Sequence, residues 1–184
     1  MVTDYIREYV KEECSKSTQT KELYENHILV VAAYGARLAR LLGADAQVVE
    51  LASYLHDFSL IHDFEQPYDH GIKGSMLVDE LLKQFKFSDD TIDQVKQAIL
   101  SSSKPLSGKN VPIEAICLSN ADAMSKLAKP FYWLYYGYAN KKRTYKEGIT
   151  VYLKWMDENW KAMVEPAKEM MADNYEFLNN LRKK

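Results

Sequence analysis

Two histidines and two aspartates give this sequence its clearest capacity for metal chemistry. His27 lies inside a long helical pattern, His56 and Asp57 follow the apolar run LASYL, and Asp122 lies among apolar and small residues in CLSNADAMSKL. Histidine is the commonest metal ligand in proteins, and a buried carboxylate needs a cation or donors beside it. Two imidazoles and two carboxylates suit a borderline or hard divalent ion. The residue types therefore favour a metal site.

The order of these residues, His then His-Asp then Asp, resembles the HD-domain superfamily of metal-dependent phosphohydrolases. His27 opens an alanine-rich helix, LASYLHDF stands where the family has its apolar-His-Asp signature, and Asn120-Ala121-Asp122 stands at its Asp-Ala-Asp segment. The resemblance covers about residues 20–182 and implies one divalent ion, which could be manganese, iron, cobalt, nickel, zinc or magnesium. It implies four metal ligands: His27, His56, Asp57 and Asp122.

Further along the chain the resemblance is less complete. The family has a His-x-x-x-Gly motif at a helix start, and the segment from His70 to Gly74 is similar to it. The resemblance implies three catalytic residues. Asp57 would orient the water or accept its proton, and His70 and Lys73 would stabilise the phosphate or protonate the leaving group. A second family histidine falls on Ser102, a poor replacement for imidazole, so we expect one metal rather than two. Asn120 stands where the family has an acid, and Ser125 stands where one bacterial branch of the family commonly has another acid. The substrates of that branch are therefore not expected here.

Lysines near these motifs are candidates for binding substrate phosphate. Lys126 stands one helical turn after Asp122 and shares its face, and Lys104 lies in the polar loop SSSKPLSGKN. A lone lysine on a helix is more often solvated. We nevertheless assign Lys104 and Lys126 as substrate-binding residues.

Two other features have competing interpretations. His62-Asp63 is a second His-Asp pair, but it follows a polar-interrupted segment rather than a full amphipathic helix, and we expect it to be a loop near the site. The aromatic run Phe131–Tyr138 could stack a base, although aromatic residues at helical spacing are more often part of a core.

The predicted function follows from the metal site and the resemblance. A metal-activated water would attack a phosphomonoester or phosphoanhydride of a small, nucleotide-like substrate. The alternative is an HD-type sensor module that binds metal or nucleotide with little or no turnover, and the serine at position 102 favours it. An oxygenase with two irons would need more than the four histidines present.

The elements that carry these residues are predicted to be helices. Gly (7) and Pro (5) are few, period-two alternation never extends beyond a few residues, and no Asn-Gly or Asp-Gly turn occurs. We expect an all-α fold, a single compact helical bundle of about six to eight helices in one domain over residues 1–184. Apolar spacing and caps predict helices at about 3–13, 21–42, 46–58 and 70–85. Further helices are predicted after the cap Ser88, from Pro112 as the first helical residue, and from Thr144 to Leu181, broken or kinked near Pro166.

Composition limits the classes of partner. The 24 basic and 26 acidic residues give a formal charge of -2. A protein that binds duplex nucleic acid is expected to be basic, so this class of partner is not expected. The longest apolar run, 28–36, is too short for a bilayer span, and the N-terminus mixes acids and bases unlike a signal peptide. Cys14 and Cys117 stand far apart in the sequence and are too few for a disulfide framework, which indicates a reduced intracellular compartment. We expect a soluble cytoplasmic protein with no membrane partner, and the sequence leaves its oligomeric state open.

Overall fold

The computed structural model describes residues 2–62, 70–102, 106–108, 110–139 and 141–182. Every regular element in these ranges is a helix, which confirms the all-α bundle. No helix in the described ranges has the length and apolar character needed to cross a membrane. The α-helices are α1 Val2–Cys14, α2 Thr18–Leu23, α3 Leu29–Leu42, α4 Ala46–Leu55, α5 Phe58–His62, α6 His70–Gln84, α7 Asp89–Ser101, α8 Ile113–Ala128, α9 Pro130–Ala139, α10 Tyr145–Ala162 and α11 Glu165–Arg182.

Helix α8 lies at the centre of the bundle. It packs against α3, α4, α7 and α11, and most of its side chains are buried. Leu118 and Met124 of α8 belong to one hydrophobic core with fully buried side chains from other helices, among them Leu38, Leu51 and Leu82. Each such burial contributes about 1.5–3 kcal/mol to folding, so α8 offers a rigid support for any polar residue that it carries.

Local signals in the sequence set several helix ends as predicted. Asp45 Oδ1 accepts hydrogen bonds from the Gln47 and Val48 amides at the start of α4, and Ser88 Oγ accepts one from Thr91 at the start of α7. Thr144 and Glu147 form the predicted reciprocal capping box of α10. Gly43 ends α3 at φ +73°, a left-handed conformation that glycine adopts without strain.

Three predicted segments differ from the structure. The helix predicted over 21–42 begins earlier, at Thr18, and contains a π turn at Tyr24–Ile28. Helix α4 ends at Leu55 instead of continuing to residue 58. The loop predicted from Ser59 is wrong in its first part, because residues 58–62 form the short helix α5, while residues 63–69 lie outside the described ranges. A side-chain pattern alone cannot show where one extra residue enters a helix.

Helices α3, α4 and α8 approach one another closely at Gly35. A Cβ atom there would lie 2.8 Å from Ser53 Oγ, 3.2 Å from Val49 Cγ1 and 3.8 Å from the Ala121 side chain. The absence of a side chain at Gly35 therefore allows these three helices to pack closely. Of the residues predicted to bind metal, His27 directly precedes α3, His56 and Asp57 directly follow α4, and Asp122 lies on α8.

Candidate metal centre

The structure brings all four predicted metal ligands together. His27 comes from the π turn, His56 and Asp57 directly follow α4, and Asp122 lies on α8. His27 Nε2 is 3.0 Å from His56 Nε2, 3.2 Å from Asp57 Oδ2 and 3.3 Å from Asp122 Oδ1. Ligand atoms of His27, His56 and Asp57 all lie within 4.8 Å of one another, which makes this trio a group able to hold a metal ion.

The π turn explains how His27 enters the bundle. Leu29 donates its backbone N–H to the Tyr24 carbonyl, the i to i+5 bond of a π helix. Tyr24, His27 and Ile28 are all buried by this turn, and His27 is only 1% exposed. Single π turns inside helices are often found at functional sites. Here the turn directs an imidazole toward α4 and α8 while the helix continues as α3.

Hydrogen bonds fix which nitrogen of each imidazole carries hydrogen. His56 Nδ1 lies 2.9 Å from the Ser53 carbonyl, which can only accept, so His56 Nδ1 is protonated. His27 Nδ1 lies 2.8 Å from Ser125 Oγ, which already donates to the Asp122 carbonyl at 2.7 Å. The Ser125 hydroxyl therefore accepts from His27 Nδ1. In their neutral forms both imidazoles leave Nε2 bare.

The two bare Nε2 atoms face each other, and this arrangement fits a cation. Two nitrogen lone pairs 3.0 Å apart repel unless a positive charge lies between or beside them. Among the described residues, the buried Asp122 Oδ1 has no hydrogen-bond donor, although its partner oxygen receives one. Two imidazole nitrogens and two carboxylates suit a divalent ion of the zinc, iron or manganese type. The residues present therefore fit the expected metal.

Charge states in the centre also suit a metal. Burial disfavours the imidazolium and lowers the pKa of His27, outweighing the opposite effect of the nearby Asp57 and Asp122 carboxylates. Burial alone would raise the pKa of Asp57, but the imidazoles beside it and the Lys126 ammonium hold that pKa well below its usual range. A neutral imidazole and an ionised carboxylate are the forms that bind metals.

Lys126 lies beside the centre, as its one-turn spacing from Asp122 predicted. Its Nζ donates to Asp122 Oδ2 at 2.7 Å and lies over two indole rings, 5.3 Å from the Trp133 centroid and 5.0 Å from that of Trp155. Lys126 is therefore not a solvated surface lysine. It holds one oxygen of Asp122 and leaves the other directed at His27.

The remaining predicted site residues are only partly described. Helix α6 begins at His70, as predicted, but the side chains of His70 and Lys73 lie outside the described part of the structure. Lys104 lies outside it altogether. His62 is exposed on α5 and contacts the Phe58 ring, and it does not join the group formed by His27, His56 and Asp57. Asp63, its predicted partner, also falls outside the described residues.

Serines and an amide at the family's other polar positions have structural partners. Ser102 Oγ donates to the Ile99 carbonyl at the end of α7. Asn120 is buried; its amide nitrogen donates to the carbonyls of Leu106 and Ile116, and its oxygen accepts from Val164. It ties the segment before α8 to the start of α11.

Two residues of the centre were missed by sequence reasoning. Ser125, read only as the replacement of an acid, orients His27 from 98 residues away in the chain. Trp133 places its ring 5.0 Å from the His27 ring at 90°. The only signal for Ser125 was its position three residues after Asp122. Within α9 only Gly137 is fully buried, while Trp133 and Leu134 are partly buried and pack against the core.

Comparison with known proteins agrees with this geometry. A family model for the HD domain matches residues 24–127, more than half of the chain, and its range contains all four residues of the centre. The chain belongs to the HD-domain family. The resemblance seen in the sequence motifs is thereby confirmed. A comparison with curated proteins gives no match for this HD domain.

Two solved structures resemble this HD domain along nearly its whole length. A predicted HD superfamily hydrolase from an uncultured Thermotogales bacterium is 18% identical with a TM-score of 0.67, over 98% of this chain and 88% of that chain. Bacillus subtilis YpgQ, solved in complex with ADP, is 22% identical with a TM-score of 0.75, over 99% of this chain and 92% of that chain. At these identities the likeness establishes a shared fold.

Proposed function

We propose that this HD domain is a metal-dependent phosphohydrolase that cleaves a phosphomonoester or phosphoanhydride of a small, nucleotide-like substrate. The observation that carries the proposal is the convergence of two bare imidazole nitrogens and two carboxylates at one buried point. Family membership supports a hydrolase, and the ADP complex of the similar YpgQ structure supports a nucleotide-like ligand.

The residues of the centre have distinct roles in this proposal. His27, His56, Asp57 and Asp122 would hold one divalent ion. When bound, such an ion lowers the pKa of a coordinated water and offsets charge on a phosphoryl oxygen. Asp57 is ionised and can orient the attacking water or accept its proton. Lys126 can place positive charge near the phosphate.

The sequence adds three candidates for the phosphate side of the reaction. As the bond from phosphorus to the leaving oxygen breaks, that oxygen needs a proton or a positive charge. His70 and Lys73 at the start of α6 are proposed for this role, and Lys104 is proposed to bind a phosphate oxygen. We also propose, from the sequence, that the protein is cytoplasmic.

A sensor function is the second candidate. Ser102 stands where many members have a histidine, and its hydroxyl is satisfied by Ile99, so it offers no extra ligand. A site with one metal and no turnover would then report the binding of a nucleotide. The four residues of the centre are all present, and for that reason we favour the enzyme.

A phosphate-release screen tests the proposal. The purified protein is incubated with added manganese and nucleoside mono-, di- and triphosphates, and with a generic aryl phosphate. We expect metal-dependent release that Asp57→Ala abolishes, while the control Asp173→Ala on the exposed face of α11 keeps wild-type turnover. Bound metal without release from any ester would favour the sensor. Release that persists in Asp57→Ala would contradict the proposed centre.

A further inference from the structure

An aromatic cavity of about 240 Å³ lies beside the metal centre, between α9 and α10. We call it the aromatic cavity. Four ring side chains line it, two from each helix: Trp133 and Tyr136, and Tyr152 and Trp155. Gly148 on α10 lies at its wall in close approach to the Tyr138 ring, so the two helices are packed tightly on one side of the opening.

The aromatic cavity adjoins the metal centre, and two residues form the wall between them. Lys126 lines the cavity and donates to Asp122 Oδ2 at 2.7 Å. Trp133 lines it as well and contacts the His27 ring edge-on at 5.0 Å. A molecule that contacts Lys126 near the metal centre therefore lies next to a residue that also lines the cavity.

The rim of the cavity is cationic, although the whole chain has a formal charge of -2. Lys141 Nζ lies 5.7 Å from the Tyr136 centroid, and Arg143 approaches Gly137. Among the described residues, neither Lys141 nor Arg143 forms an ion pair with a carboxylate. Lys126 lines the cavity as well, and its ammonium is paired with Asp122. Lys141 and Arg143 therefore carry the excess positive charge beside the aromatic walls, which favours an anionic ligand.

The size of the cavity limits what it can hold. Pockets that enclose a whole drug-sized ligand have volumes of about 300–1,000 Å³, so about 240 Å³ accommodates only part of such a molecule. Walls of four rings suit a flat ring, because nucleobases stack favourably on aromatic side chains. A phosphate group alone gains little from such walls.

We propose that the aromatic cavity binds the ring of the substrate by stacking, while the substrate's phosphate lies at the metal centre and contacts Lys126. This inference rests on the proposed function. It narrows the substrate to organic phosphates that carry a heteroaromatic ring, such as nucleotides, and it excludes sugar phosphates and inorganic polyphosphates. The residues that select the substrate then lie after residue 127, beyond the range matched by the family model.

A pair of ligands that differ only by the ring tests the inference. AMP and ribose 5-phosphate are titrated calorimetrically into the full chain with the metal removed by chelator, so the readout does not depend on turnover. We expect AMP to bind at least about tenfold more tightly than ribose 5-phosphate, the effect of one stacked base. Equal affinities would overturn the inference.

Variants locate the ring preference within the molecule. Trp155→Leu, or Tyr136→Leu should the first variant fail to fold, is expected to remove most of the difference between AMP and ribose 5-phosphate. Trp160→Phe is the matched control, because Trp160 stacks on Tyr175 at 4.1 Å and does not line the cavity. A ring preference that both cavity variants retain would overturn the inference.

The results separate this inference from the proposed function. Metal-dependent phosphate release with no preference for ring-bearing substrates would support the hydrolase and contradict the proposed role of the cavity. Ring-dependent binding in a protein that never releases phosphate would support the cavity and contradict the hydrolase.

Discussion

The metal centre and the aromatic cavity share a wall but are built differently. In the centre both imidazoles are held through Nδ1, and His27 and His56 are almost fully buried. In the cavity the ring side chains come from α9 and α10, and most are partly exposed. Among the described residues, Lys141 and Arg143 at its rim form no close ion pair with a carboxylate. A rigid centre suits one chemical step, whereas a more open cavity suits selection among ligands.

The metal centre and the aromatic cavity are also formed by different parts of the sequence. The four residues of the centre lie within the part that matches the HD-domain model, and the rings of the cavity lie after it. The predictions below therefore expect changes in the centre to alter metal binding for every substrate. Changes in the cavity should alter only the choice of substrate.

Removal of a metal ligand should have the largest effect. His27→Gln removes a bare Nε2 that lies within 3.3 Å of three other candidate ligand atoms, so we expect affinity for Mn²⁺ to fall at least about 100-fold, more than for typical loss of a supporting residue. Calorimetric titration with Mn²⁺ measures this. His62→Gln, an exposed histidine, is the control and should bind as the wild type. Unchanged affinity in His27→Gln would contradict the assignment.

Loss of the residue that orients His27 should have the next largest effect. Ser125→Ala removes the acceptor for His27 Nδ1–H, and loss of such a supporting hydrogen bond typically costs 10–100-fold in metal affinity, about 1.4–2.7 kcal/mol. Ser119→Ala, a buried serine on the same helix that bonds Leu106 and Ile116, is the matched control. Equal Mn²⁺ affinities for the two variants would show that Ser125 has no positioning role.

Glycine substitutions should separate the two regions by stability and by ligand. Gly35→Ala places a Cβ against Ser53 and Val49 and so pushes α4 away from α3. Such overpacking costs about 1–3 kcal/mol, against about 1 kcal/mol gained from helix propensity. We expect urea unfolding to give a lower free energy of unfolding and Mn²⁺ to bind more weakly, because the Ser53 carbonyl holds His56.

Gly148→Ala is the counterpart in the cavity. Its new Cβ would displace the Tyr138 ring, so AMP should bind several-fold more weakly while Mn²⁺ affinity stays unchanged. A loss of Mn²⁺ affinity in Gly148→Ala as large as that in Gly35→Ala would show that the two regions are not independent.

The smallest expected signal concerns the buried cysteines. Burial raises the pKa of both Cys14 and Cys117 to about 12, whereas a free thiol has a pKa of about 8.5. The folded protein should therefore react very slowly with a chromogenic disulfide near pH 8, and the urea-unfolded protein should react fully. Rapid reaction of both thiols without urea would show that the helices around the centre open readily.

Sequence patterns could predict the fold class, most helix ends and the four residues of the centre, because these depend on spacing and local caps. Asp45, Ser88 and Thr144 act within one helical turn, and local interactions of that kind are visible in a sequence. The π turn was not predictable, since the apolar positions from Leu23 to Ile28 also fit a regular helix. The contact between His27 and Ser125 depends on how α8 packs, which no local pattern encodes.

The orientation of the aromatic run 131–138 also could not be predicted from the sequence. FYWLYYGY has rings on every face of its helix, so the hydrophobic pattern cannot say which rings face the site. The structure exposes Phe131 and Tyr135 and turns Trp133 and Tyr136 toward α10. Helix α10 begins with the capping box of Thr144 and Glu147, and its position against α9 decides which rings line the cavity.

Crystals of the full chain soaked in Mn²⁺ and measured by anomalous diffraction test the central claim most directly. We expect one anomalous peak per chain, bonded to Nε2 of His27 and His56 and to carboxylate oxygens of Asp57 and Asp122. A peak elsewhere with none between these four side chains, or two peaks within the centre, would contradict the account.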